Sequence, residues 1–215
     1  MGSLFAKDVI AKAASYVGYH EGPNNDNYFA EKLSSIGYFL PQTDKNHVPW
    51  CAIFLDYCAT FAALPEDRED DSKMYDAQYF LYQPSYNNYS ASAPTMAAYF
   101  KAANAWYGTP HPGDFIFFQN ESGIYHVGIV EEFDDETITA IEGNADNQVL
   151  RRYYNYEDCI GSKIAGFGRP RYDEAGEDQD SAPDPNEDII EKRYNAEVTI
   201  RYKDNKPINF KIDLL

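Results

Sequence analysis

The sequence predicts an α+β fold in which N-terminal helices pack on an antiparallel β-sheet. Two observations support this prediction. Apolar residues recur at helical spacing through roughly the first hundred residues, whereas from Gly113 onward short apolar runs alternate with turn residues. A chain of 215 residues is long enough for one such domain and a small C-terminal extension.

Four helices are predicted in the N-terminal half. A stripe of apolar residues indicates the first over residues 4–17, and the second begins at Asn25 or Asp26, either of which is a good N-cap. The third follows Pro49, whose fixed φ suits the start of a helix, and the fourth follows Pro94. The helical layer therefore precedes the sheet in the chain.

Five strand patterns follow the helices and are separated by residues typical of turns. They cover residues 114–119, 126–133, 137–142, 148–154 and 164–170. Because short turns join antiparallel neighbours, we expect these strands to form a meander.

The C-terminal part differs in composition. We expect a main domain over residues 1–172, an acidic linker over residues 173–188 and a small extension over residues 189–215. Two strand patterns flank residues 203–207 and predict a β-hairpin in the extension. Since an isolated hairpin is marginal in water, it docks on the main domain, self-associates, or begins a truncated module.

The charge of the chain limits its partners. There are 35 acidic against 18 basic residues, a net charge of −17, so nucleic acids and anionic membranes would be repelled. No apolar run approaches the roughly 18 residues of a membrane span. The N-terminus lacks a signal-peptide pattern, which predicts cytoplasmic synthesis unless residues 1–3 replace a removed signal. We therefore expect no nucleic acid and no membrane insertion.

Cys51 is a candidate nucleophile. It occupies the first turn of the predicted third helix, where free backbone N–H groups and the helix dipole favour a thiolate. The alternative is a core cysteine beside Trp50, because unpaired cysteines are often buried. With Cys58 and Cys159, the set fits neither a disulfide framework nor a zinc site.

His126 and Glu142 are the candidate base and orienting residue. Each lies 8 positions from Asp134 in the turn that joins their predicted strands (134−126 and 142−134), so antiparallel pairing makes them neighbours. A thiol nucleophile requires a base, and the base requires a residue that holds its tautomer. The alternative is a strand-end histidine with an acid opposite by chance.

The motifs taken in order resemble one family, the CHAP domains (cysteine, histidine-dependent amidohydrolase/peptidase), over about residues 6–172. They are Pro49-Trp50-Cys51-Ala52, Pro112-Gly113-Asp114-Phe115, His126-Val127-Gly128-Ile129-Val130, Glu142-Gly143-Asn144 and Gly166-Phe167-Gly168-Arg169-Pro170. The family has a papain-like fold, similar to that of NlpC/P60 proteins, and includes bacterial and phage cell-wall hydrolases.

The resemblance implies that Cys51 is the nucleophile, His126 the base, Glu142 the orienting residue and Asn144 a further polar residue of the site. It implies cleavage of amide bonds in peptidoglycan, by an N-acetylmuramoyl-L-alanine amidase or an endopeptidase, with the stem peptide and glycan as partners. The enzyme then acts at the cell wall, either in the manner of a phage lysin or after secretion.

The residues that flank the candidate site in sequence are candidates for substrate contact: Asn46, Trp50 and Tyr125. Better-known members carry Gln where this chain has Trp50. Residues 44–47 offer one carboxylate, whereas calcium needs six to eight oxygen ligands, so we expect no metal and no cofactor.

Two other functions stay open. One is a non-catalytic module that binds the wall or a partner, and the other is a papain-like cysteine protease that acts on proteins. A complete set of Cys51, His126 and Glu142 favours an enzyme, because decay of a site usually removes one member. The C-terminal hairpin is a candidate surface for self-association.

Overall fold

The structure, a computed structural model, describes residues 4–39, 46–62, 78–83 and 91–173, and the backbone of residues 197–201 and 207–211. The chain divides into two compact units, Met1–Ala175 and Gly176–Leu215. Apart from Asp173, the predicted acidic linker lies outside the described residues.

Among the described residues, four helices of eight or more residues precede the sheet, as the apolar periodicity predicts. They are α1 (Ala6–Ala14), α2 (Tyr28–Ser35), α3 (Cys51–Ala62) and α4 (Ala93–Ala102). The start of α2 is defined by Asn27, whose side chain accepts a hydrogen bond from the backbone N–H of Ala30 at 2.9 Å. This cap replaces the predicted one at Asn25 or Asp26, because residues 23–25 form a separate 3₁₀ turn.

The helix that begins at Cys51 lies at the centre of the fold. Residues 51–61 are all buried, so α3 is enclosed by neighbours on every side. It contacts α1 and α2 on one side and the sheet on the other. The first intrahelical hydrogen bond runs from the N–H of Phe54 to the carbonyl of Trp50 at 2.9 Å. Cys51 is therefore the first residue of a helix that packing holds in place.

The sheet has six strands, and every pair of neighbours is antiparallel. They are β1 (Trp106–Tyr107), β2 (Phe115–Asn120), β3 (Gly123–Phe133), β4 (Thr137–Ala145), β5 (Gln148–Asn155) and β6 (Ile164–Gly168). Their order across the sheet is β1-β6-β2-β3-β4-β5. A short helix, α5 (Tyr156–Cys159), links β5 to β6. The predicted α+β fold with an antiparallel sheet is confirmed.

Both faces of the sheet carry apolar side chains. One face packs against the helices and contributes Phe115, Phe117, Ile129 and Ile141 to the main core. The opposite face has its own smaller core, which consists of Ile116, Phe118, Val130, Ile138, Ala140, Cys159, Ile164 and Phe167. Strands buried on both faces explain why the central strand patterns are apolar runs rather than strict alternations.

Asp114 and Arg169 join two of the motifs on which the family resemblance rests. Asp114 is 1% exposed and receives the Nε and Nη2 groups of Arg169 at 2.8 and 2.9 Å. Its carboxylate also accepts the backbone N–H of His111 at 2.8 Å. A paired and hydrogen-bonded carboxylate tolerates burial, so this bidentate pair ties the start of β2 to the end of β6.

The second unit contains the predicted hairpin. Strands β7 (Glu197–Arg201) and β8 (Pro207–Lys211) pair antiparallel, with Val198 opposite Phe210. The hairpin expected in the C-terminal extension is therefore present.

Candidate active site

Cys51 lies at the N-terminus of α3 and is 6% exposed. The first N–H groups of a helix have no acceptor within the helix, so the N–H of Cys51 is available to a ligand. No acidic side chain occupies the first turn of α3. The helix dipole therefore favours negative charge at the sulfur.

His126 lies between Cys51 and Glu142. Its Nε2 is 2.8 Å from Oε2 of Glu142, and its ring also makes a side-chain hydrogen bond with Cys51. Because Nε2 faces the carboxylate, Nδ1 is the nitrogen left for the sulfur. The structure thus brings together three residues from α3, β3 and β4 in the order nucleophile, imidazole, carboxylate.

The register between β3 and β4 differs from the predicted one by two residues. Ile129 pairs with Ile141 and Val130 with Ala140, so extending the ladder by one residue puts Gly128, not His126, level with Glu142. Phe133 pairs with Ile138, so the turn is centred between Asp135 and Glu136 and not on Asp134, which offsets the ladder by three residues (271−268). The bulge between Val130 and Glu132 adds one residue to β3 and reduces this offset to two. Glu142 consequently reaches His126 along a diagonal.

Gly128 leaves the space for this diagonal contact. A Cβ at position 128 would lie 2.7 Å from Cγ of Glu142 and 2.9 Å from the carbonyl oxygen of Ile141. Both distances are well below ordinary van der Waals contact. The sequence analysis placed Gly128 in a motif but assigned it no role. A glycine inside a strand pattern often marks a close approach of another group, and this was the signal in the sequence.

Glu142 is buried and both of its carboxylate oxygens are bound. The residue is 1% exposed; Oε2 faces His126, and Oε1 accepts the hydroxyl of Tyr154 at 2.6 Å. Tyr154 comes from β5, and sequence reasoning missed it because no local pattern links residues on β4 to a particular residue of the next strand. These bonds compensate for burial of the carboxylate.

The protonation equilibria follow from this arrangement. Burial disfavours the charged form of His126, but the hydrogen bonds to Cys51 and Glu142 and the charges of both residues outweigh it and raise the pKa of His126 to about 9. Burial, the charge of Glu142 and the bond to its carboxylate raise the pKa of Tyr154, so this phenol stays protonated. The His126 imidazolium therefore persists at neutral pH.

A groove of about 520 Å³ opens beside Cys51. Among the described residues its lining consists of Val48, Pro49, Cys51, Ala91, Ser92, Ala93, Pro94, Thr95 and Tyr125. None of these side chains carries a full charge apart from an ionised Cys51. Tyr125 is 58% exposed and gives the groove one aromatic wall. Such a surface suits an uncharged, extended chain near the sulfur.

Comparison with known proteins gives one family match. Residues 43–144 match the family model of the CHAP domain. This stretch of the chain is therefore similar to a CHAP domain. The match spans Cys51, His126 and Glu142 and ends at Asn144, so all four residues suggested by the family resemblance lie within it.

Solved structures similar to the chain include a crystal structure of Ly7917, with a TM-score of 0.46 and 16% identity. A second is Ly7917 with the hydrolyzing product of MDP, with a TM-score of 0.45 and 17% identity. Each alignment covers 77% of this chain and 62% of the Ly7917 chain. No curated protein is similar enough in sequence to count as a match.

Trp50, a predicted substrate contact, has a buried side chain. Trp50 is 0% exposed, and its ring centroid lies 5.4 Å from that of Phe29. Its indole N–H donates to Oε2 of Glu21, so it is not free for an oxyanion. Trp50 instead packs the start of α3 into the main core.

Asn46 lies outside the groove lining. Its Oδ1 accepts the backbone N–H of Asn27 at 2.9 Å, and its Nδ2 donates to Oδ1 of Asp26 at 2.6 Å. These bonds tie the segment before Cys51 to the start of α2. Both ends of the amide are engaged within the chain, so the side chain anchors the loop before α3.

Asn144 follows Glu142 by two residues at an irregular point of β4. Its φ is 55°, and the register with β5 shifts between Glu142 and Ala145. Within the described part of the chain its side chain makes no hydrogen bond, and the imidazole of His126 faces Glu142 instead. Gly143 in between packs on α3, where an added Cβ would lie 2.6 Å from Cβ of Phe54.

The described residues contain no group of three or more His, Cys, Asp and Glu side chains that could hold a metal ion. In the same part of the chain, no helix has the length and apolar character needed to cross a membrane.

Proposed function

We propose that the chain is a peptidoglycan hydrolase that acts at the cell wall, as an N-acetylmuramoyl-L-alanine amidase or a peptidoglycan endopeptidase. The observation that carries the proposal is the position of His126, which contacts both Cys51 and Glu142. The match of residues 43–144 to the CHAP family model supports the choice of substrate, because many CHAP domains cleave amide bonds in peptidoglycan.

The first half of the reaction forms an acyl-enzyme. The Cys51 thiolate attacks the carbonyl carbon of the scissile amide, and the carbonyl oxygen becomes an oxyanion near the N–H of Cys51. Nδ1 of the His126 imidazolium protonates the amide nitrogen. The C–N bond then breaks, the amine leaves, and a thioester remains on Cys51.

The second half regenerates the thiol. Neutral His126 takes a proton from water, whose oxygen attacks the thioester carbonyl. Collapse of the second tetrahedral intermediate releases the carboxylic acid product and the Cys51 thiolate. His126 keeps the proton that it took from water, so the ion pair with Cys51 is restored. Glu142 holds the ring and stabilises its positive charge in both halves.

The groove is compatible with this substrate. Its uncharged walls accept a peptide backbone beside Cys51, and Tyr125 offers an aromatic face to a sugar ring or a peptide side chain. Stem peptides and glycan both adjoin the muramoyl-alanine amide, so the groove fits either type of cleavage.

The test is hydrolysis of purified cell walls from several bacterial types, with mass analysis of the fragments. An amidase releases peptides with a free N-terminal alanine, whereas an endopeptidase creates new amines within the peptides. Cys51→Ala is the matched inactive variant, and Cys58→Ala, altered at another free and buried cysteine, is the active control.

Two results would reject the proposal. If no wall type released fragments although His126 still contacted Cys51, the chain would be a non-catalytic binding module. If walls stayed intact but unfolded proteins were cleaved in a manner dependent on Cys51, the chain would be a protein-directed cysteine protease.

A further inference from the structure

Tyr154 meets the carboxylate of Glu142 on the side opposite His126. Its hydroxyl donates to Oε1 at 2.6 Å, while Nε2 of His126 lies 2.8 Å from Oε2. Glu142 is 1% exposed, so water has little access to either oxygen. A short O–H···O⁻ bond to a buried carboxylate is among the stronger protein hydrogen bonds.

Arg152 fixes the direction of the Tyr154 proton. The two residues are two positions apart on β5 and so point to the same side of the sheet. Arg152 makes a side-chain hydrogen bond to the phenol of Tyr154, and its Nη2 also donates to Oδ2 of Asp146 at 2.6 Å. A guanidinium only donates, so it occupies a lone pair of the phenol oxygen and leaves the single phenol proton for Glu142.

Phe118 packs against both rings. Its centroid lies 5.0 Å from that of Tyr154 and 5.5 Å from that of His126. Phe118 is 4% exposed and stands opposite His126 in the ladder between β2 and β3. The phenol and the imidazole therefore rest on the same buried ring, which restricts the rotation of each.

We propose that Tyr154 is a positioning residue for the hydrolysis, acting through Glu142 to keep its carboxylate directed at Nε2 of His126. This inference rests on the proposed function, since it assigns a role within that reaction. Tyr154 is absent from the described groove lining, so it acts on the chemical step and not on substrate binding.

Loss of the hydroxyl has a defined consequence. Without it, Oε1 of Glu142 is a buried acceptor with no donor, so the carboxylate turns away from His126 or loses part of its charge. The groups that face His126 are Cys51 from α3, Glu142 from β4 and Tyr125 beside it on β3, with Tyr154 and Arg152 behind Glu142. Of these, Glu142 is the one the change weakens, so the pKa of His126 falls.

The test compares Tyr154→Phe with Tyr153→Phe in the full chain. Tyr153 is the matched control because it neighbours Tyr154 on β5 and is 68% exposed. We expect Tyr154→Phe to lower kcat about tenfold to a hundredfold, in line with loss of one charge-assisted hydrogen bond, with KM nearly unchanged. The high-pH limb of the rate profile should move to lower pH.

A second measurement needs no substrate. The titration of the His126 ring followed by NMR, assigned by difference from His126→Ala, should have a lower midpoint in Tyr154→Phe and an unchanged one in Tyr153→Phe. Arg152→Gln should shift it in the same direction by a smaller amount. Equal thermal unfolding temperatures of the two Phe variants would exclude a purely structural effect.

The outcomes separate the two proposals. If Tyr154→Phe matches the wild type in kcat and in the His126 titration, the positioning role is wrong even though the enzyme hydrolyses walls. If the wild type hydrolyses nothing but the titration shifts, the contact through Glu142 stands while the proposed reaction fails.

Discussion

Gly128 and Glu142 stand level on neighbouring strands, and the side chain of Glu142 crosses the space where a Cβ of residue 128 would lie. The added carbon would come within 2.7 Å of Cγ of Glu142. The bond between Glu142 and His126 thus depends on a residue that has no side chain and is absent from the described groove lining.

Gly128→Ala should therefore lower turnover more than it lowers stability. The overlap costs about 1–3 kcal/mol of unfolding free energy and displaces the carboxylate, which should reduce kcat about tenfold or more. Gly108→Ala is the control, because an added Cβ there meets nothing within 4 Å. Urea unfolding and wall hydrolysis would be measured on both. Equal activity of the two variants would show that Glu142 has another route to His126.

Cys51→Ala should abolish hydrolysis, since it removes the nucleophile, and should leave the fold intact. Cys58→Ala should retain activity. Burial raises the pKa of the Cys58 thiol well above its usual value, although Lys12 lowers it, so this thiol does not ionise near neutral pH. Release of soluble fragments from walls measures both variants. The reverse pattern would mean that the nucleophile is misassigned.

Glu142→Gln should lower turnover at least about a hundredfold with little change in KM, because an amide can present its NH₂ group to Nε2 of His126. Asn144→Ala should do less, since the ring faces Glu142. Steady-state kinetics on soluble peptidoglycan fragments distinguishes the two. A near-normal Glu142→Gln together with an inactive Asn144→Ala would assign the orienting role to Asn144.

The pH profile should fall on its alkaline side near pH 9. The pKa of His126 is raised to about 9, against a usual value of about 6.5, so the imidazolium persists through neutral pH and is lost as pH rises through 9. The alkaline limb is measured from kcat/KM between about pH 5 and about pH 10.5. A limb near 6.5 would mean that Cys51 and Glu142 do not stabilise the charged ring.

The end of the first unit can be tested by truncation. The backbone N–H of Asp173 donates to the carbonyl of Leu4, and the N–H of Leu4 donates to Oδ2 of Asp173, both at 2.9 Å. A chain ending at Ala175 should keep its fold and its activity on soluble fragments. One ending at Tyr172, the predicted boundary, should lose about 1–3 kcal/mol of unfolding free energy. Identical urea midpoints would show that these bonds contribute nothing.

Local features of the sequence predicted the fold class and part of the site. Pro49 and the apolar spacing after it specify a helix that begins at Cys51, because helix starts depend on residues a few positions apart. The short turn after Phe133 likewise makes β3 and β4 antiparallel neighbours, which brings His126 and Glu142 to the same region.

Tertiary structure decided the details on which the chemistry depends. The position of the turn and the bulge near Glu131 together shift the register by two residues, and an apolar pattern shows neither the exact centre of a turn nor one extra residue in a strand. Burial of Trp50 and the bond from Tyr154 to Glu142 depend on elements far apart in the chain, and an aromatic residue suits a core and a groove equally well. Periodicity describes which side chains share a face, whereas the contacts across that face are set by packing among all the strands and helices.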